Sequence, residues 1–138
     1  MSVIIDTDPQ LPFQATDGFE GLFGFELLEL TEERARARVV VREELKQPAG
    51  LVHGGVYASI AESLASWATA RVVLPQGRTA VGLSNQTSFL RPITEGTIEA
   101  VAIRRHRGRT TWVWEVEISD DQGRLCTLTR MTIAVREP

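Results

Sequence analysis

The chain has 138 residues, 43% of them hydrophobic and 24% charged, which is typical of one globular domain and excludes a chain that is disordered throughout. Its one cysteine and two histidines exclude an internal disulfide and predict no bound metal, and its formal net charge of −3 argues against a nucleic-acid binder. No apolar run approaches the roughly 20 residues of a membrane helix, and we recognise no secretory signal, so we expect a protein of the reducing cytoplasm that binds no membrane.

The first part of the chain predicts a tail followed by short elements. Pro9 and Pro12 break any helix there, so we interpret residues 1–12 as a flexible N-terminal tail and residues 13–138 as a single domain. In residues 34–41, arginine alternates with small apolar residues with a period of two, which predicts a half-buried strand. The predicted elements are a helical turn within residues 13–22 and strands at residues 24–30 and 34–41.

One long helix is predicted over residues 53–73. Apolar residues recur at every fourth position from Val52 to Leu64, which gives the helix an apolar stripe, and Pro75 and Gly77 end it. Six strands and one helix predict an α+β domain whose antiparallel sheet covers the helix. Since one helix cannot cover both faces of such a sheet, we expect an oligomer. The later strands are predicted at residues 79–90, 97–105, 110–119 and 124–135.

Charge is divided unevenly along the sequence. Residues 1–33 hold eight acidic residues and no basic one, and fourteen of the fifteen basic residues are arginines. Residues 104–109 contain four of these arginines. Such a cluster repels itself unless anions or acidic neighbours neutralise it. A phosphorylated ligand and the acidic N-terminal segment are the two candidates.

The helix face opposite the apolar stripe carries small residues and one acid. Ala58, Glu62 and Ser66 lie four residues apart and therefore stack along one line, with Thr69 near it. One interpretation is that this face packs against a partner and that Glu62 pairs with an arginine. The other is that desolvation among small residues makes the Glu62 carboxylate a base or nucleophile.

The start of the helix is also unusual, because glycine is a poor helix former. His53 precedes Gly54 and Gly55. The free N–H groups there could polarise a carbonyl oxygen, or the glycines could simply permit close packing. For His53 we favour a buried capping or packing role over proton transfer. Glu62 lies eight residues after Gly54, about 12 Å along the helix. If both act on one carbonyl carbon, they come from two chains of a dimer.

Residues 47–63, with the sequence QPAGLVHGGVYASIAES, resemble the signature of hotdog-fold acyl-CoA thioesterases. The resemblance is greater to the subgroup of the Arthrobacter-type 4-hydroxybenzoyl-CoA thioesterase and the 1,4-dihydroxy-2-naphthoyl-CoA thioesterases. In that subgroup a glutamine precedes the histidine by six residues and a glutamate follows it by nine, as Gln47, His53 and Glu62 do here. The resemblance implies a hotdog fold, in which a six-stranded antiparallel sheet wraps around one long central helix.

The resemblance also implies a role for each matching residue. Glu62 would be the catalytic carboxylate, which attacks the thioester or activates water. The N–H of Gly54 would polarise the carbonyl, and Gln47 and His53 would position the carbonyl or the water. Ser66 stands where the Arthrobacter-type enzyme usually has threonine, and its hydroxyl would orient the water. The residues that would meet the CoA phosphates are Arg91, Arg107, Arg109 and Thr110.

The expected function is therefore hydrolysis of an acyl-CoA thioester, of an aryl or similar acyl group, to the free acid and CoA. Coenzyme A is part of the substrate, and no separate cofactor is implied. The expected assembly is a homodimer with active sites shared between chains, paired into a homotetramer. The alternatives are a non-catalytic acyl-CoA-binding module and, less favoured because His53 lies in the thioesterase-type motif, a hydratase. Residues 82–86 lack the second glycine of a serine-hydrolase Gly-x-Ser-x-Gly turn.

Overall fold

The computed structural model describes residues 16–138, which form one six-stranded sheet and one long helix. The elements are α1 (Phe19–Phe23), β1 (Glu26–Leu30), β2 (Arg34–Val40), α2 (Gly54–Val73), β3 (Thr79–Phe89), β4 (Thr97–Arg107), β5 (Thr111–Ser119) and β6 (Leu125–Arg136), with single 3-10 turns at Glu43–Leu45 and Leu74–Gln76. The strand order is β1-β2-β4-β5-β6-β3, and every neighbouring pair is antiparallel.

The predicted α+β architecture is confirmed, with all six strands and the long helix at the expected places. The helical turn expected within residues 13–22 is α1, which begins at Phe19 and extends one residue further. The flexible tail predicted for residues 1–12 and the start of the domain at residue 13 lie outside the described residues and stay predictions. In residues 16–138, no helix is both long and apolar enough to span a membrane.

The sheet curls around α2, which contacts the five strands from β2 to β6. Ten of the twenty residues of α2 are buried, so the sheet covers more than the single apolar stripe that the sequence predicts. Thr69 shows the difference, because it is fully buried, donates to the carbonyl of Ala65 at 2.9 Å and accepts from the indole N–H of Trp114 at 2.9 Å. Thr69 lies seven residues after Glu62 and so near the line of Ala58, Glu62 and Ser66 on the helix, but its burial makes it part of the core.

One side of α2 stays open, along the line of Ala58, Glu62 and Ser66. Ala58 and Ser66 are half-buried and Glu62 is exposed. Strand β3 runs beside this line and pairs with β6 on one side only, so it is an edge of the sheet. Val81 and Leu83 on β3 are each 56% exposed. The open helix face and the bare strand edge thus lie together.

The acidic N-terminal segment neutralises part of the arginine cluster. Arg107 Nη1 lies 3.2 Å from Glu32 Oε2, and Arg104 Nη2 lies 3.9 Å from Glu33 Oε1. Arg105 pairs instead with a β5 residue. Of the two candidates that the sequence left open, acidic neighbours are the ones seen within the chain. Similar pairs join β1 to β2: Arg34–Glu29 at 2.8 Å and Arg38–Glu26 at 2.6 Å.

Asp120 closes the turn between β5 and β6. Its Oδ1 accepts the backbone N–H groups of Arg124 at 2.9 Å and Gln122 at 3.0 Å, and its Oδ2 accepts from the Arg124 guanidinium at 2.7 Å. The backbone hydrogen bond of Arg124 is the main cause that lowers the pKa of Asp120 below its usual value. The ionised carboxylate therefore stabilises this turn.

We predict that Asp120→Asn lowers the free energy of unfolding at pH 7 and that its difference from wild type narrows as the pH falls below about 4. A carboxylate whose folded pKa is depressed stabilises the fold above its unfolded pKa, and this stabilisation is lost as the pH falls through the folded pKa. Urea unfolding at pH 7 and at several acidic pH values measures the difference. If the difference in free energy of unfolding between Asp120→Asn and wild type were the same at every pH, the stabilising role of the ionised Asp120 would be contradicted.

Candidate active site

His53 is the N-cap of α2. Its Nδ1 accepts the N–H of Gly55 at 2.8 Å, so a neutral imidazole carries its proton on Nε2. The ring is exposed, so the capping role predicted for His53 is confirmed, whereas the burial predicted for it was wrong. The cap fixes the imidazole at the start of the helix and leaves Nε2–H as a donor to a bound molecule.

Gly54 is packed closely from the side of β3. A Cβ atom on Gly54 would lie 3.0 Å from two ring carbons of Phe89, and one on Gly55 would lie 2.9 Å from His53 Nδ1. Close packing therefore explains both glycines, as one of the two interpretations expected. Gly54 is also the first residue of α2, so its N–H has no acceptor within the helix. At Gly54, close packing and a free N–H that could polarise a carbonyl oxygen are therefore compatible.

Gln47 is held by a tight turn just before the helix. Its carbonyl accepts from Gly50 N–H at 2.9 Å, its N–H donates to the carbonyl of Leu51 at 2.8 Å, and its side-chain Oε1 accepts from Ala49 N–H. Gly50 has a φ of 92°, a backbone conformation that favours glycine. Since the side-chain oxygen is engaged in the turn, the Gln47 amino group is the part left to donate to a ligand.

Gln47 and Gly54 border an open cleft of about 420 Å³ at the start of α2. Gln47, Gly54 and Arg91 contribute to its lining, and Tyr57 and Phe89 form an aromatic wall. Burial raises the pKa of Tyr57, whose hydroxyl accepts the N–H of Ile93 at 3.2 Å. Tyr57 is therefore a neutral, fixed part of the wall.

Glu62 lies two turns further along α2. Its Oε1 is 3.4 Å from the side-chain nitrogen of Asn85 on β3. Ser66 lies one turn beyond Glu62 and is half-buried. The carboxylate is eight residues after Gly54, or about 12 Å along the helix, so one chain alone does not bring the two groups to one carbon atom.

The residues expected to bind CoA are divided between the two ends of α2. Arg91 borders the cleft at its start. The turn with Arg109 and Thr110 lies near the end of α2, where the Arg109 carbonyl accepts from Arg78 Nη1 at 3.2 Å and the Thr110 carbonyl accepts from Val135 N–H at 2.9 Å. Arg107, in the same turn, is already paired with an acid.

The thiol of Cys126 offers no alternative nucleophile. Cys126 is fully buried, and this burial raises the pKa of its thiol. A thiol with a raised pKa is a poor nucleophile, because the thiolate is the reactive form. No group of three or more His, Cys, Asp or Glu side chains that could hold a metal ion is found among residues 16–138.

Comparison with known proteins assigns the family. Residues 49–127 match the Thioesterase superfamily. The chain belongs to this superfamily. Its six-stranded antiparallel sheet around one long helix is therefore the hotdog fold that the sequence predicted.

Solved structures agree with this assignment. A mutant thioesterase of Pseudomonas aeruginosa is 34% identical, with a TM-score of 0.83 over 87% of this chain and 86% of that one. A thioesterase of Haemophilus influenzae is 31% identical, with a TM-score of 0.82 over 88% and 84%. A Staphylococcus aureus thioesterase is 25% identical, with a TM-score of 0.83 over 86% and 98%, and it was solved with alanine replacing a glutamate and, separately, a glutamine 15 residues earlier.

Asn85 and Phe89 are site residues that the sequence did not reveal. In the sequence, Asn85 lies in the 82–86 string that lacks the second glycine of a serine-hydrolase turn, and Phe89 lies near the end of a predicted strand. A β-bulge between Gly82 and Ser84 shifts the register of β3 against β6, so simple alternation does not tell which β3 side chains face the helix. The available signal was that polar side chains occupy consecutive positions of β3, which is unusual for a strand with one buried face.

Proposed function

We propose that this protein hydrolyses an acyl-CoA thioester to a free acid and CoA, with Glu62 as the catalytic carboxylate. The observation that carries the proposal is the position of Glu62, the one acidic residue of α2, on the open face between Ala58 and Ser66 and beside the free edge of β3. A carboxylate that a second chain can cover is suited to work as a base or nucleophile.

The edge strand β3 supports a dimer in which two chains complete each site. Phe89 lies over Gly54, and Gly82 lies beside Glu62, both on β3. If two β3 strands pair antiparallel around a two-fold axis, with Gly82 of one opposite Phe89 of the other, the Glu62 of one chain comes beside the Gly54 of the other. Pairing of such dimers into a homotetramer stays a prediction.

The same arrangement would bring together the residues proposed to bind CoA, which lie at opposite ends of α2 within one chain. Arg91 follows the end of β3 at Phe89, whereas the Arg109 turn lies beside its start. In an antiparallel pair, the start of one β3 strand meets the end of the other. Arg91 of one chain and Arg109 and Thr110 of the second would then flank one CoA, whose phosphates suit guanidinium groups.

The reaction follows from the donors and the carboxylate. The N–H of Gly54, helped by Gln47 Nε2 and His53 Nε2, would donate to the thioester oxygen and stabilise the negative charge that develops there. Glu62 would take a proton from a water molecule oriented by Ser66, while the water oxygen bonds to the carbonyl carbon. The C–S bond then breaks, and the CoA thiolate takes up the proton. Direct attack by Glu62, followed by hydrolysis of the anhydride, is the other route.

Two clefts flank the start of α2 and would divide the substrate between them. The cleft with Arg91 would take the pantetheine arm, because it leads toward the phosphate-binding arginine. A second cleft of about 350 Å³ on the other side of His53 is bordered by Phe19 and Phe23. These aromatic walls favour an aryl or similarly bulky acyl group, as expected for the Arthrobacter-type subgroup.

The Staphylococcus aureus thioesterase supports the choice of catalytic residues. The glutamine and the glutamate replaced in that protein are 15 residues apart. Gln47 and Glu62 have the same separation. The spacing supports assigning to Gln47 and Glu62 the positions that were chosen for substitution there.

We predict that Glu62→Gln and Glu62→Ala lower kcat for benzoyl-CoA by at least about 100-fold, because a positioned acid or base contributes about that much or more. Thiol release measures turnover, and circular dichroism with thermal unfolding checks the fold. Glu117→Gln, an exposed change on the outer face of β5, is the matched control and keeps wild-type turnover. Wild-type turnover in both Glu62 variants would favour the non-catalytic acyl-CoA-binding module.

A second prediction concerns the shared site. Glu62→Ala and Gln47→Ala are each expected to be inactive alone. When the two variants are refolded together, half of the randomly formed dimers are mixed, and each mixed dimer holds one intact site of two. The mixture would therefore recover up to about a quarter of the wild-type sites. Mixtures of each variant with itself are the controls. If the mixture stayed as inactive as the separate variants, the site would lie within one chain.

A third prediction tests the phosphate contacts. Arg91→Ala and Arg109→Ala are expected to raise KM for a CoA thioester, more strongly at low salt, and to leave KM for the N-acetylcysteamine thioester unchanged. Arg107→Ala has a smaller effect, because Arg107 is already paired with Glu32. Steady-state kinetics with both substrates at two salt concentrations measures this. Equal changes in KM for both substrates would refute the contact with the phosphates.

A further inference from the structure

A side-chain amide on the edge strand reaches Glu62 from outside the sequence motif. Asn85 Nδ2 donates to the carbonyl of Ala58 at 2.9 Å and lies 3.4 Å from Glu62 Oε1. Ala58 precedes Glu62 by one helical turn, so the amide is tied to the helix that carries the carboxylate. The distance to Oε1 is longer than the usual 2.9–3.0 Å, as is common for catalytic hydrogen bonds before substrate binds.

Two threonines fix which way the Asn85 amide faces. Thr87 Oγ1 donates to Asn85 Oδ1 at 2.6 Å. A hydroxyl has one proton, so the 2.9 Å contact between Thr87 Oγ1 and Thr129 Oγ1 is a donation from Thr129. Thr129 is 3% exposed. A chain of hydrogen bonds therefore leads from the buried sheet through Thr87 and Asn85 to Glu62, and it keeps the NH₂ group of the amide toward the carboxylate.

The other carboxylate oxygen lies beside Gly82, which has no side chain. A Cβ atom on Gly82 would lie 3.9 Å from Glu62 Oε2 and the same distance from Glu62 Cδ. The glycine leaves room where a longer side chain would contact the carboxylate. Thus one oxygen of Glu62 faces a donor, and the other lies on the side of a residue without a side chain.

We propose that Asn85 is a positioning residue for Glu62, which holds Oε1 through the Thr129–Thr87–Asn85 chain so that Oε2 faces the reacting carbonyl. The inference rests on the proposed function for its effect on turnover. The hydrogen bond matters most when the carboxylate is negatively charged, because donors to charged groups contribute more than donors to neutral ones. Asn85 acts through Glu62 and so affects kcat rather than substrate binding.

The test combines three substitutions with one substrate. Asn85→Leu, which keeps a similar volume and removes the donor, is expected to lower kcat for benzoyl-CoA by about 10- to 100-fold, the size expected for one hydrogen bond to a charged group, with KM little changed. Thr87→Val causes a smaller loss of kcat, and Thr87→Ser, which keeps the hydroxyl, restores it. In the double variant of Asn85→Leu with Thr87→Val, the second change causes no further loss.

Gln86→Leu is the matched control, since it removes an amide from the next position of β3, where the side chain accepts from Arg130 instead of reaching α2. It is expected to leave kcat unchanged. The positioning role would be overturned if Asn85→Leu had the kcat of wild type. It would also be overturned if Thr87→Val lowered kcat by the same factor in the Asn85→Leu variant as in wild type. Should Asn85→Leu fail to fold, the comparison of Thr87→Val with Thr87→Ser decides the question.

Crystal structures separate this inference from the proposed function. In Asn85→Leu the Glu62 carboxylate is expected to leave its wild-type position, and an unchanged position would overturn the positioning role whatever the activity. A wild-type protein that does not hydrolyse any acyl-CoA would refute the proposed function alone. In that case, displacement of Glu62 in Asn85→Leu would still support the positioning role.

Discussion

A single sheet can wrap around most of a helix but not all of it, and the rest of this structure depends on that constraint. The helix α2 packs against five strands, yet the sheet ends at β3 before it closes around the helix. The line through Ala58, Glu62 and Ser66 lies at this opening. The residues there are small, so a second surface can come close, and the one acid among them lies where that surface would exclude water.

The elements of the fold were predictable because their signals are local. Alternating arginine and apolar residues in β2 give the observed alternation of exposed and buried side chains, and the apolar repeat before Pro75 gives α2. The extent of burial was not predictable in the same way. Thr69 is polar and lies near the line of Ala58, Glu62 and Ser66 on the helix, but the curvature of the sheet brings Trp114 into contact with it. Such curvature comes from all strands together.

The candidate active site likewise combines contacts between sequence neighbours with contacts between distant residues. Gln47, His53 and Glu62 lie within one continuous motif, so the resemblance to the thioesterase signature can be seen in the sequence. The cap of His53 on Gly55 is likewise formed by neighbours in sequence. Asn85 is 23 residues from Glu62, and a β-bulge decides which way it faces. The arginine cluster shows the limit for charges, since only the fold tells whether Arg107 meets Glu32 or a ligand.

The free edge of β3 has a consequence for a single chain of this protein. Its unpaired N–H and C=O groups, with Val81 and Leu83 exposed beside them, form a template that any extended chain can join. If two chains pair at this edge as proposed, dilution into single chains would both abolish catalysis and expose an edge that can pair with other chains. In such a dimer, the rate at which newly synthesised chains meet, as well as the stability of the fold, would determine how much protein escapes aggregation.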